Sequence, residues 1–276
     1  MKFSFPLKDV IIDFTTVPAE VKDPLFKDEY FALNQNEFSM DIKGVARFYA
    51  SGGDFISVVP YSEASQDTFE LYLNGSVYGA ILHQRKTMPL HGSCFRYRDR
   101  GVMICGDSGA GKSSLTASFC LGGAQFLTDD VTPLLFKEGV PYIWPLSERI
   151  KLWSDSLRQL DQEETGLHRI DPAMEKFYYP INKGTDNIIR LNLVYILVIK
   201  DAGDVEFEEL TGPEKFTALR NEIYRPEYLN GMPENEPVYF GNLVDMCNSV
   251  SVIRVSRPPV IHINELMIMI SEHITA

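Results

Sequence analysis

Eight consecutive residues, Gly106-Asp107-Ser108-Gly109-Ala110-Gly111-Lys112-Ser113, satisfy G-x-x-x-x-G-K-[ST] at every defined position. Glycines let a backbone wrap closely around a phosphate so that its N–H groups point inward. A helix opening at Lys112 adds unpaired N–H groups and the positive end of a dipole. Lys112 can reach the β- and γ-phosphates as a mobile point charge, and the Ser113 hydroxyl is placed to ligand Mg²⁺. The run from Gly106 through Ser114 is therefore the candidate site for ATP with Mg²⁺.

A second acidic feature follows closely. Asp129 and Asp130 end the run Gln125–Leu127-Thr128. Phosphoryl transfer needs a carboxylate that helps hold the metal and often another that takes the nucleophile's proton. Two adjacent acids at a strand end can supply both. Equatorial oxygens of a transferring phosphoryl group also need positive charge. Arg149 and Lys151 lie on one side of an extended segment, where side chains alternate with period two. Lys183 and Arg190 are further candidates.

These groups need a scaffold. Gly101–Cys105 reads as a strand, Lys112–Leu121 as a helix stopped by Gly122-Gly123, and residues 125–127 as a second strand. A right-handed crossover makes the two strands parallel, which brings the aspartates to the same sheet edge as the loop. Further strands are expected at Leu134–Phe136, Leu191–Ile199, Val238–Phe240 and Ser251–Val255. Helices are expected at Ser154–Gln162, Gly212–Ile223 and Ile263–His273. Upstream, Val10–Phe14, Val45–Tyr49, Phe55–Val59 and Thr68–Leu73 read as strands separated by turn signals, Asn74-Gly75 among them. Tyr78–Gln84 reads as a helix. The division predicted is a small, mainly β N-terminal domain over 1–87 and an α/β catalytic domain over 88–276.

The composition fits this plan. The chain has 276 residues, 45% hydrophobic and 23% charged, enough for a sizeable core. A net charge of −12 with no basic stripe argues against nucleic acid as partner. No apolar stretch approaches a membrane span, and no signal peptide is visible, so a cytoplasmic location without membrane contact is expected. Cys94, Cys105, Cys120 and Cys247 form no CxxC pair or zinc spacing and read as reduced thiols.

The stretch Gly101–Ser113 followed by Thr128-Asp129-Asp130 resembles the catalytic core of HPr kinase/phosphorylase, and Leu90-His91-Gly92-Ser93 is similar to a His-containing segment of that family. The resemblance implies a P-loop core of the kind shared with phosphoenolpyruvate carboxykinase, and an ATP- and Mg²⁺-dependent serine kinase. It implies Asp129 as the base, Asp130 as the carboxylate assisting the metal or exchanging that role, and His91 beside Asp129. The family's second signature has no counterpart, and Trp144–Trp153 stands in its place. What remains is similar to a divergent branch that includes kinases of lasso-peptide precursors, which phosphorylate a terminal serine. The partner implied is a peptide or small protein bearing an acceptor serine, and a homo-oligomer is compatible with it. Two other readings use the same residues: a small-molecule kinase, and a regulator that binds ATP without transfer.

Overall fold

The computed structural model describes residues 4–62, 64–171, 173–181, 184–201 and 203–275. Alternation of buried and open positions builds the first sheet from six strands: β1 (Ile11–Phe14), β2 (Phe26–Lys27), β3 (Phe31–Leu33), β4 (Glu37–Ile42), β5 (Ala46–Ser51) and β6 (Phe55–Pro60). Their order is β1-β6-β5-β4-β3-β2, antiparallel except for β1 on β6.

One continuous helical stretch packs against this sheet. It comprises α1 (Gln66–Tyr72), a π-turn at Leu73–Val77 and α2 (Tyr78–Gln84). The strand expected at Thr68–Leu73 and the turn expected at Asn74-Gly75 are thus both helical. Ser65 caps α1 by accepting from the Thr68 N–H at 3.1 Å. Phe69, Leu73, Val77 and Ile81 recur at helical spacing and are fully buried. The glycines here serve close packing rather than a turn: a Cβ on Gly79 would stand 2.9 Å from the Tyr224 ring.

Beyond residue 87 the chain forms a nine-stranded mixed sheet. It contains β7 (Met88–His91), β8 (Ser93–Tyr97), β9 (Arg100–Gly106), β10 (Gln125–Thr128), β11 (Val131–Lys137) and β12 (Val140–Ile143), together with three later strands. A separate three-stranded sheet holds β13 (Arg149–Trp153), β14 (His168–Arg169) and β15 (Lys176–Pro180). The later strands of the large sheet are β16 (Ile189–Ile199), β17 (Glu206–Glu209) and β18 (Ser251–Arg257), and β9, β16 and β18 run parallel. Helices α3 (Lys112–Leu121), α4 (Ser154–Gln159), α5 (Gly212–Asn221), α6 (Asn235–Ser249) and α7 (Ile263–Thr275) complete a mixed α/β architecture.

β10 runs in the same sense as β9, with antiparallel β8 between them. The phosphate loop and the aspartates therefore share one edge, as the crossover argument requires. The strand expected at Val238–Phe240 lies inside α6. Tyr239, Leu243 and Met246 are its buried stripe, and their spacing is helical. Among the described residues, no helix is long and apolar enough to cross a membrane.

Candidate active site

The chain leaves β9 at Gly106, whose φ of +125° suits glycine alone. A side chain there would drive its Cβ to 2.4 Å from the Leu197 carbonyl oxygen of β16. Gly111 caps α3 at φ +99°, in the left-handed region that favours glycine. Lys112 folds its ammonium back to the carbonyls of Gly106 (2.7 Å) and Asp107 (3.1 Å). Arg257, at the end of β18, donates to the Ala110 carbonyl at 2.8 and 3.2 Å and so braces the loop from outside. The Gly106 N–H donates to Glu222 at 3.3 Å. Burial raises the Glu222 pKa, and that bond together with the Lys112 charge opposes the rise.

Asp129 follows β10 directly. Its Oδ1 accepts from the Ser113 hydroxyl at 2.8 Å and its Oδ2 from the Lys151 N–H at 3.0 Å. Asp130 turns the other way, at φ +71°, and takes the Lys151 ammonium at 2.7 Å. Burial would raise the Asp130 pKa, but the charge and hydrogen bond of Lys151, with His91 and Lys176 behind them, together hold the carboxyl well below the usual range. Burial lowers the Lys151 pKa, but Asp130, with Tyr178 and Tyr224, together raise it above the usual ammonium value.

His91 ends β7, which pairs with β11 so that His91 stands opposite Val131. This register sets its Nδ1 3.7 Å from Asp130, so its close carboxylate is Asp130 rather than Asp129. Burial and the nearby Lys112 charge lower its pKa, and its ring stacks on Tyr224 at 5.8 Å.

The three-stranded sheet supplies the rest. Arg149, Lys151 and Trp153 alternate with the buried Ile150 and Leu152, as period two requires. Their partners on the same face of β15 are Pro180, Tyr178 and Lys176. Two cavities meet along this face. One, of about 220 Å³, lies over the phosphate loop and is bordered by Trp153 and Lys176. The other, of about 1330 Å³, runs between α1 and the Trp144–Arg149 segment. Asp130 and Lys151 border both, whereas Asp129 borders the larger one.

No protein-family model matches the chain, and no curated protein does. Among solved structures it is similar to the HPr(Ser) kinase/phosphatase from Coxiella burnetii. The identity is 12% and the TM-score 0.36, over 67% of this chain and 95% of that one.

The site links His91, Asp130, Lys151, Asp129 and Ser113 in one chain of contacts, with Lys112 beside them on the loop cavity and Asp107, Ser108, Gly109, Ala110 and Ser114 on the loop and first helical turn. Arg149 stands apart: its guanidinium lies 3.8 Å over the Tyr178 ring and pairs with Glu70 of α1 at 2.6 Å, on the wall of the larger cavity. Arg190 is excluded. It starts β16 beside Gly101, at the sheet edge opposite the loop. Lys183 lies outside the described residues. Sequence reasoning missed Glu70, Lys176, Tyr178 and Arg257 as neighbours of the site. For Lys176 and Tyr178 an alternation along Lys176–Pro180 is visible, but nothing local says which strand it faces.

The donor set suits a hard cation. Ser113 and the two aspartates offer oxygen ligands, and among the described residues no cluster of three or more His, Cys, Asp or Glu could hold a metal unaided. An ion here would complete its shell with phosphate oxygens and water, as Mg²⁺ commonly does.

Proposed function

We propose that the chain is an ATP-dependent phosphotransferase that phosphorylates a serine hydroxyl of a peptide or small protein. The observation carrying this reading is the position of Asp129. It touches the phosphate-loop helix through Ser113, yet it borders the larger cavity. A carboxylate so placed can reach an acceptor in the larger cavity from the edge of the loop, whereas Asp130, which borders both cavities, is held by the Lys151 ammonium. At about 1330 Å³ that cavity exceeds the usual range for a drug-sized ligand, roughly 300–1,000 Å³. Its size favours an extended acceptor over a small molecule.

The loop N–H groups and Lys112 hold the donor phosphates, with Lys112 exchanging its carbonyl partners for phosphate oxygens. Ser113 and Asp130 would hold Mg²⁺, which neutralises charge on the phosphoryl oxygens. Asp130 is assigned to the metal because it lines the phosphate-loop cavity together with Ser113, whereas Asp129 does not. The acceptor serine oxygen attacks the γ-phosphorus. The new O–P bond forms as the bond to the β–γ bridging oxygen breaks, and ADP leaves with that electron pair. Asp129 takes the serine proton and later releases it to water. His91, kept neutral by burial, stands beside Asp130 and leaves that carboxylate's charge to Lys151.

The test is a transfer assay by intact-mass spectrometry with ATP, Mg²⁺ and serine-bearing peptides. A gain of one phosphate on peptide, absent with Asp129→Asn, is the expected result. If ATP binds but no peptide gains phosphate, the acceptor assignment is wrong.

A further inference from the structure

Four cations converge on the small cavity above the phosphate loop: Lys112, Lys151, Lys176 and Arg257. Three of them are already engaged with oxygen. Lys112 and Arg257 bond backbone carbonyls, and Lys151 holds Asp130. Lys176 differs. Its ammonium rests 5.4 Å over the Trp153 ring, its cross-strand partner. Among the described residues it meets no carboxylate or other oxygen acceptor. Burial and the like charge of Lys151 push it towards the neutral form, against the longer-range pull of Asp130 and Asp129.

A half-buried ammonium facing an indole in a cavity of positive charge is held more weakly than one paired with an anion. Trp153 is itself 44% exposed, a large apolar ring left open beside the loop. An anion of several charges entering this cavity would meet both Lys112 and Lys176, which line it together. We propose that Lys176 is a second phosphate-binding cation of the donor site, which leaves Trp153 to engage the terminal phosphates of a nucleoside triphosphate. This rests on the phosphotransferase reading above. It adds that the three-stranded sheet, not only the loop, holds the donor. Trp153 thereby becomes a parking place for the charge and a built-in reporter of its departure.

The chain has two tryptophans, Trp144 and Trp153, and only Trp153 borders the donor cavity. Full-length protein carrying Trp144→Phe therefore reads the donor side by fluorescence. ATP, ADP and AMP, each with Mg²⁺, are titrated, with calorimetry in parallel. ATP is expected to change Trp153 emission and AMP to change it little. Lys176→Met keeps an apolar stem on the indole. It should weaken ATP about 10- to 100-fold, the loss of one charge-assisted contact, and leave AMP within about twofold. Lys176→Arg should restore most of the ATP affinity.

Equal ATP affinity in Lys176→Met and the parent overturns the proposal, and so does an equal loss for AMP and ATP, which would mark a residue shaping the cavity. A parent that binds no ATP by calorimetry overturns the phosphotransferase reading itself. That outcome is distinct, because it precedes any effect of Lys176.

Discussion

The proposed donor and acceptor sides of this molecule are built by different means. The donor side is largely backbone: one loop between β9 and α3, whose Gly106 stands where a side chain would collide and whose Gly106, Gly109 and Gly111 all take positive φ. The acceptor side is side chain, assembled from α1, the Trp144–Arg149 segment, β15 and the two aspartates. A loop that must follow a phosphate tolerates little variation, and it sits in a cavity of about 220 Å³. A groove six times as large, at about 1330 Å³, can be relined without disturbing the fold. On the proposed phosphotransferase reading, chemistry is held fixed on one side of Asp129 and choice of acceptor is left to the other.

The sharpest way to break this division is Asp129→Asn. It should lower transfer about 10²–10⁴-fold, the usual worth of a positioned base, with ATP affinity changed only a few-fold. Single-turnover transfer and calorimetry on the same sample measure the two effects. Asp130→Asn should do the reverse and weaken Mg²⁺-dependent ATP binding. If Asp129→Asn lost nucleotide binding instead, the two carboxylates would have to exchange roles.

A backbone-built site should also fail through its backbone. Gly106→Ala forces a side chain onto a φ of +125° and a Cβ to 2.4 Å from the Leu197 carbonyl. Strain and overpacking together should cost on the order of 3 kcal/mol in denaturant unfolding. Gly109→Ala meets no atom and carries only the φ penalty, so it should cost less.

The same contrast explains what was legible in the sequence. The phosphate loop is contiguous, and each position has a local reason, so Gly106 to Ser113 could be read directly. Asp129 and Asp130 needed only one topological rule. The helix at Tyr78–Gln84 was also legible, because its apolar spacing is local. Thr68–Leu73 misled, since β-prone residues there answer to tertiary burial of Phe69 and Leu73 and to the Ser65 cap. Glu70 and Lys176 were not legible. Each belongs to the site only through pairing with β13, a contact between distant parts of the chain.

The acceptor side depends on how the α1–α2 stretch is fastened, and His83 is one fastening. Its Nε2 lies 2.8 Å from the Tyr224 carbonyl and its Nδ1 3.1 Å from the Tyr239 hydroxyl, so the neutral ring satisfies both. Burial lowers its pKa to about 4, against an ordinary value near 6.5. Protons therefore bind the unfolded chain more readily between these values. The stabilisation is full above about pH 6.5 and is lost as pH falls towards 4, on the order of 3 kcal/mol from this group. His83→Gln should flatten the dependence of the unfolding midpoint between pH 7 and 4. An unchanged slope would assign the acid sensitivity elsewhere, with His91 next to be tested.

The smallest effect separates the two sides most cleanly. Arg149 lies flat on Tyr178 and pairs with Glu70, entirely within the larger cavity. Arg149→Met keeps much of the stem on the ring but removes the charge and frees Glu70. With a peptide acceptor, KM for the peptide should rise about tenfold, near 1.4 kcal/mol, with KM for ATP unchanged. Glu70→Gln removes the pairing but keeps the guanidinium. Acceptor KM should then move less than with Arg149→Met if the guanidinium itself meets the peptide. It should move as much if the pair only holds α1 against the groove. A matching change in KM for ATP would place Arg149 on the donor side and end the division between backbone-built and side-chain-built halves.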